Sequence, residues 1–437
     1  MIYNQPSNKV LNKFLSRISC FIFATFVLTV VDASAQTILN SPYSYVGMGE
    51  LDEGHSVSNA MMSGLGVSNS NGIYSSVINP ALLARNRYTS FEVGLNTEYK
   101  NLRDNRQRQS VFGGNYQSLN LTLPASPRWT FAIGIRPYST VQYETQSYRR
   151  LNLLGLDSLI YALSGAGNVN KLSFSNGFRI SRELYIGLET NYLFGNIGRN
   201  VSTQNLSDGQ YYKVQLENRN DYSDFTFKAG LAYRHALKRD LYLNIGATVD
   251  LNSSMNATQI KRFAILDYTG NSTINADTLS QKTSFVQNLP VSRKFGISLE
   301  KIARWMVGID FISTDWTKVD NNIGQARPLP VSNKWIIGGE YTPDFESVSS
   351  YLKRTTYRAG FSYQTTPYAI SATTPYAVDM NFSVGAALPL RNLSYLNISY
   401  QFGKRGSLSS NNLEEQYHRI TMGLTLSDLW FTKQKVN

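Results

Sequence analysis

The sequence predicts an all-β fold: a transmembrane antiparallel β-barrel of about 14 strands, with an N-terminal plug (hatch) in the lumen. Three observations carry this prediction. The chain opens on an export signal. It then runs for most of its length in period-two alternation of apolar and polar residues. The connections between the alternating runs are short and long by turns. Alternation with one apolar face means a sheet between two environments. Short periplasmic turns and longer outer loops are the pattern of an outer-membrane barrel.

Residues 1–35 read as a secretory signal. Lys9, Lys13 and Arg17 give a positive start, Ile18 to Val31 is apolar, and Ala33-Ser34-Ala35 is an A-x-A cleavage site before Gln36. A membrane anchor is the rival, but the apolar run is too short to span and no stop-transfer pattern follows. Cys20, the only cysteine, leaves with the signal. The exported chain then has no disulfide framework.

Residues 36–87 do not alternate and read as the plug. Ser41-Pro42-Tyr43-Ser44 and Gly47-Met48-Gly49 read as turns, and His55 to Leu65 has modest helical character. Gly64 to Ala84 is small, polar and Gly-rich. It closes on Asn79-Pro80-Ala81, a turn into a short helix with proline near its start. Gly64, Gly66 and Gly72 permit hinges or tight turns. Two readings stand for this segment, a movable gate and a static stopper.

Residues 88–437 read as the barrel. The expected strands are 88–99, 109–123, 127–150, 165–181, 183–200, 211–237, 241–262, 283–301, 305–317, 333–343, 355–367, 377–389, 393–403 and 415–431. In Leu184 to Phe194 the apolar side chains share one face, and Gly187, Glu189 and Asn191 share the other. Glu92 and Asp250 occupy the same polar face, where carboxylates read as solvated pore residues. Longer polar loops are expected at 100–108, 151–164, 201–210, 263–282, 318–332, 368–376 and 404–414. Residues 344–354 break the rule, being long where a periplasmic turn is due. In the third strand Pro137 has no N–H to donate. It marks either a lateral opening in the wall or a rim position where the strand leaves the bilayer.

Composition narrows function. The chain is basic, at +12 formally, yet it shows no clustered basic face or nucleic-acid motif, so no nucleic-acid partner is expected. Charged rims beside outer-membrane lipid and lipopolysaccharide account for the excess. The 28 Tyr and 21 Phe suit interfacial girdles, with Tyr88, Tyr99, Trp129, Trp335 and Trp430 as examples. The histidines are His55, His235 and His418, and none has zinc or triad spacing. No enzyme, cofactor or metal is expected.

The Gly-rich stretch followed by Ile78-Asn79-Pro80-Ala81-Leu82-Leu83-Ala84, placed before the first strand, resembles the hatch of the FadL/TodX-type outer-membrane transporters. The ending, Gly423 to Phe431, is similar to FadL-like proteins of Bacteroidetes. The resemblance implies a 14-stranded barrel in the outer membrane of a Gram-negative bacterium. It also implies uptake of hydrophobic small molecules, long-chain fatty-acid-like, with lateral release beside a kinked strand. The alternative is a FadL-like barrel that binds other outer-membrane proteins, as a subunit or cargo shuttle of a machinery such as type IX secretion. In that reading loops 263–282 and 318–332 are contact surfaces. A general porin for polar solutes is a third reading, which a lumen-filling plug disfavours.

Overall fold

The computed structural model describes residues 41–428, apart from 53, 70–71, 151–157, 206–211, 268–272, 320–327, 370–374 and 391–392. The expected signal, Cys20 and Trp430 lie outside the described residues. Fourteen strands close into one antiparallel barrel. They are β1 (Thr89–Asp104), β2 (Arg108–Ser126), β3 (Trp129–Arg150), β4 (Ser158–Arg179), β5 (Leu184–Asn205) and β6 (Lys213–Lys238). Next come β7 (Leu241–Asp250 and Ser254–Leu266), β8 (Thr273–Asn288 and Val291–Lys301), β9 (Trp305–Asp315) and β10 (Val331–Tyr341). The last are β11 (Thr356–Thr365), β12 (Val378–Pro389), β13 (Tyr395–Ser407) and β14 (Leu413–Asp428). Closure is made by β14 on β1, from Leu413 opposite Asp104 to Asp428 opposite Thr89. Closure leaves no free sheet edge around the seam, which a lipid environment requires.

Alternation decides the two faces. Phe91, Leu95, Ile133, Leu188, Ile297, Ile309 and Phe361 point outward and are exposed, forming the apolar band that meets lipid. Their neighbours Glu92, Glu189, Asn244, Ser298 and Asp310 point inward and are buried. Tyr99, Trp129 and Trp335 are among the exposed outward aromatics.

Several strands run further than hydrophobic alternation reveals. β4 begins at Ser158 rather than 165, and β8 at Thr273 rather than 283. Most of the expected loop 263–282 is therefore ladder, with Phe263 opposite Asp277 and Arg262 opposite Thr278. The cause is physical. Beyond the bilayer both faces of a strand meet water, so Thr273 to Leu279 are all exposed, and no apolar side marks the strand. At the described ends of loop 318–332, Val319 and Leu329 are buried in the barrel mouth with Trp316, Tyr43 and Val46.

The described residues of the 41–88 segment lie within the lumen. They include a 3-10 turn at Pro42–Tyr45, a two-residue strand Glu50–Leu51, a helical turn Val57–Ala60 and a 3-10 helix Pro80–Arg85. The protein's apolar core is this segment packed against inward side chains. Met48 meets Val141, Val169 and Leu193, Met62 and Leu65 meet Met306 and Ile336, and Leu82 meets Tyr185 and Ala232.

Candidate functional site

The Asn79-Pro80-Ala81 motif is a seat against the periplasmic half of the wall. Asn79 caps the 3-10 helix, its Oδ1 accepting from the Ala81 N–H at 3.0 Å. Its Nδ2 donates to the Val67 carbonyl at 2.8 Å and to the Leu231 carbonyl of β6 at 3.0 Å. One fully buried amide thus joins two parts of the segment to the barrel. Pro80 sits at the first helical position, where its missing N–H costs nothing. The wall has been stripped of side chains to receive this helix. A Cβ on Gly187 of β5 would collide with the backbone of Pro80 and Ala81. Replacing Gly187 with leucine should unseat the helix while the barrel still folds. The check is faster proteolysis of residues 41–87 with the heat-resistant barrel band retained.

The predicted glycines have separate tasks. Gly64 (φ 97°) and Gly72 (φ 76°) take the left-handed backbone that other residues avoid. The Gly66 and Val67 N–H groups both donate to Asp310 Oδ2 of β9, at 2.7 and 2.9 Å. Asp310 is fully buried; it is an anchor for the segment, not a solvated pore residue.

Pro137 stands at a break in the wall. β2 and β3 pair only from Ser126 opposite Trp129 up to Leu119 opposite Ile135. Above that, β2 stays bonded to β1 as far as Arg108, and β3 stays bonded to β4 as far as Arg150, but not to each other. Two irregularities face across the break: the β1–β2 register skips Gln117, and the β3–β4 register skips Tyr138. Proline cannot donate to a ladder, and Pro137 stands two residues past the last β2–β3 pair.

The lumen segment covers the free edge of β3. Glu50 and Leu51 pair with Thr140 and Ser139. The Asp52 N–H donates to the Tyr138 carbonyl at 2.9 Å, and the Ser41 N–H to the Gln142 carbonyl at 2.8 Å. Gln117 donates back to the His55 carbonyl at 3.1 Å. Tyr116 of β2 spans the break, its hydroxyl donating to Asn170 Oδ1 of β4 at 2.7 Å. The edge groups that would be costly in lipid find these partners from inside.

A cavity of about 310 Å³ lies behind the break. It is lined by Tyr116, Gln117, Pro137 and Tyr138 on one side and by His55, Ser63 and Gly64 of the segment. Pro137 and Gly64 therefore share a site. Gly66, Gly72, Asn79, Pro80 and Ala81 do not line it; they hold the segment in place. The lining is mixed polar and apolar and carries seven Lys or Arg side chains against five Asp or Glu.

Those charges are organised in networks that sequence reading missed. On one side Glu189 of β5 accepts from Arg136 at 3.0 Å and Lys228 at 3.1 Å, with Lys171 at 4.0 Å and the Ser175 hydroxyl donating at 3.1 Å. Three cations share one buried carboxylate. Opposite, Arg405 of β13 pairs with Glu50 of the segment, with Asp379 at 2.9 Å and with Glu415 at 3.4 Å. Glu415 also accepts from the Ser41 hydroxyl at 2.6 Å. Burial alone would raise the Glu50 carboxyl, but Arg405 and then Lys100 outweigh it and hold it below the usual carboxylate range. Lower down, Glu300 of β8 accepts from Arg85 and Arg234, each at 3.2 Å. The available signal was charge at inward register, as at Glu189, but alternation does not say which strands lie across the lumen. Among the described residues no group of three His, Cys, Asp or Glu is placed to hold a metal.

A closed 14-stranded antiparallel barrel, apolar outside and holding its own N-terminal segment inside, defines an outer-membrane-type β-barrel, and its fold is shared with solved FadL/TodX-type channels. A Pseudomonas aeruginosa FadL homologue superimposes with a TM-score of 0.58 at 11% identity, over 87% of this chain and 99% of that one. The P. putida toluene transporter TodX gives 0.56 at 15% identity, over 87% and 100%. The monoaromatic hydrocarbon channel CymD gives 0.54 at 13% identity, over 86% and 98%. No curated protein sequence matches the chain. The family is nonetheless defined: the BamG family model matches residues 17–437, and the chain belongs to the BamG family.

Proposed function

We propose that the protein is an outer-membrane channel for hydrophobic small molecules with an anionic head, long-chain fatty-acid-like, and that it is not an enzyme. Residues 1–35 are removed on export, residues 36–87 plug the lumen, and the substrate leaves sideways between β2 and β3. The observation that carries the proposal is the unpaired stretch of wall at Pro137 with a cavity directly behind it. The named functions of TodX and CymD, a toluene transporter and a monoaromatic hydrocarbon channel, lend support at the level of the fold. The lining argues for an anionic head over a neutral hydrocarbon. Lys171 and Lys228 line the cavity beside the break, where with Arg136 they face Glu189 and Asp250, three cations to two carboxylates. Such a cluster attracts a carboxylate, while the apolar tail needs only a dry route into lipid.

A second reading is a protein-binding subunit of an outer-membrane machinery. It is favoured by the ion pairs that tie the segment to the wall at both ends of the lumen, through Glu50 and Arg85. Native mass spectrometry of the gently purified protein separates the two. An acidic lipid-like ligand near one per barrel supports the channel. A stoichiometric protein partner without such a ligand overturns it. Replacing Lys171 and Lys228 together by methionine should weaken fatty-acid binding about tenfold or more, the scale of one or two charge-assisted hydrogen bonds, and leave a neutral hydrocarbon unaffected. A titration with each ligand is the check.

A further inference from the structure

The connection from β10 to β11 lies at the end of the barrel that carries the short turns, the periplasmic end, yet it is a folded lobe. The Asp344 N–H donates to the Lys353 carbonyl at 2.8 Å and closes it at the neck. Ser347 is buried within it. The Arg304 guanidinium donates to the Pro343 carbonyl at 3.0 Å and fixes it to the turn before β9. This ordered lobe turns its apolar side chains outward. Val348 is 97% exposed and Leu352 64%, with Phe345 and Tyr351 also exposed. A lobe that can bury one serine but leaves four large apolar side chains outside is built to place them against something.

Its position says what. Tyr357 is an outward, lipid-facing residue of β11, in register with Phe361 and Tyr363, and all three are exposed. The Tyr357 hydroxyl donates to the Leu352 carbonyl at 3.3 Å. The Tyr351 hydroxyl donates to the Pro389 carbonyl at the periplasmic end of β12, at 3.0 Å. The lobe is therefore folded over the outer rim and continues the lipid-facing surface. It also sits below two of the shortest strands of the wall, β10 with 11 residues and β11 with 10. Extra apolar surface there extends the lipid-facing belt where the wall is lowest. Lys353 and Arg354 follow Leu352 on the same helical turn, and Arg354 lies over the Tyr351 ring. Long basic side chains beside inserted apolar ones reach up to lipid phosphates.

We infer that the 344–353 lobe inserts into the periplasmic leaflet as a lipid anchor, with Val348, Tyr351 and Leu352 in the acyl region and Lys353 and Arg354 at the phosphates. The inference rests on the membrane barrel and not on the channel reading. The test uses the full chain with Cys20 replaced by serine, reconstituted in phosphatidylethanolamine–phosphatidylglycerol vesicles. Spin labels are placed singly through Val348→Cys and Leu352→Cys, with Phe361→Cys as the lipid-facing control and Glu346→Cys as the water-facing one. Relaxation by dissolved oxygen is compared with relaxation by a water-soluble nickel chelate. Insertion predicts oxygen-to-nickel ratios at both test positions close to Phe361→Cys and severalfold above Glu346→Cys. Water-like ratios at either position overturn it. So does shielding from both reagents, as a protein partner on the same surface would produce. Val348 and Leu352 are surface residues, so loss of folding does not confound the result.

Discussion

Replacing Arg405 with alanine should release the first part of the lumen segment from the wall. Arg405 is the cation that Glu50, Asp379 and Glu415 have in common, and its side chain is only 13% exposed. Removing one partner of a buried pair leaves uncompensated charge, at a cost of about 3–5 kcal/mol. Here three carboxylates lose it together, and Lys100, 3.8 Å from Glu415 and also acting on Glu50, is left to offset them. The docked state gives way first, because Glu50 belongs to a short segment and Asp379 to a continuous ladder. Residues 41–52 should become protease-sensitive, and hydrogen exchange should rise at Asp52 while β12 and β13 stay protected. Protonation of Glu50 by itself should not mimic the mutation until very low pH. The folded Glu50 carboxyl lies below its unfolded value of about 4.3. Its contribution is therefore present above that value and is lost only as pH falls through the folded one. Protease resistance of wild type at pH 7 is the control. Resistance in Arg405→Ala would mean that backbone pairing to β3 alone holds the segment.

The barrel was legible because its signal is repeated. Each lipid-facing stretch, such as Leu184 to Phe194, must alternate, and each turn, such as Arg239-Asp240, must be short. Strand ends were not legible where water lies on both sides, as at Thr273 to Leu279. The inward glycines were visible on the polar face, but their purpose was not. Gly187 and Gly246 look like packing glycines until the Pro80–Arg85 helix and Val67 are placed against them. Least legible were partners far apart in sequence. Nothing local links Glu50 to Arg405, or Gly66 to Asp310. Those pairs depend on barrel closure and on the depth at which residues 41–87 sit.

That geometry also changes what Pro137 is expected to do. The residue reads alone as a gate or a rim proline, with the plug as a rival gate. In the fold the segment is the strand that β3 lacks on its β2 side, so the candidate gate and the N-terminal segment meet at one place. A Pro137→Val change restores one N–H, but the skipped Gln117 and the occupied edge still keep β2 and β3 apart. We expect it to alter transport modestly. Deleting residues 41–52 is the larger perturbation. It removes the pairing to Ser139 and Thr140, the donors to Tyr138 and Gln142, and the Met48 side chain that fills the upper lumen. Seating of Pro80–Arg85 is untouched, because its partners Leu231 and Glu300 lie outside the deletion. The expected product is a folded barrel with an open upper lumen and a bare β3 edge. Its single-channel conductance in planar bilayers should rise severalfold. Its bare edge should also favour pairing with a second copy, since unpaired strand edges recruit other strands, which cross-linking would detect. A deletion variant with wild-type conductance would place the seal in residues 54–87. The β2–β3 break would then need no cover from Glu50 and Leu51.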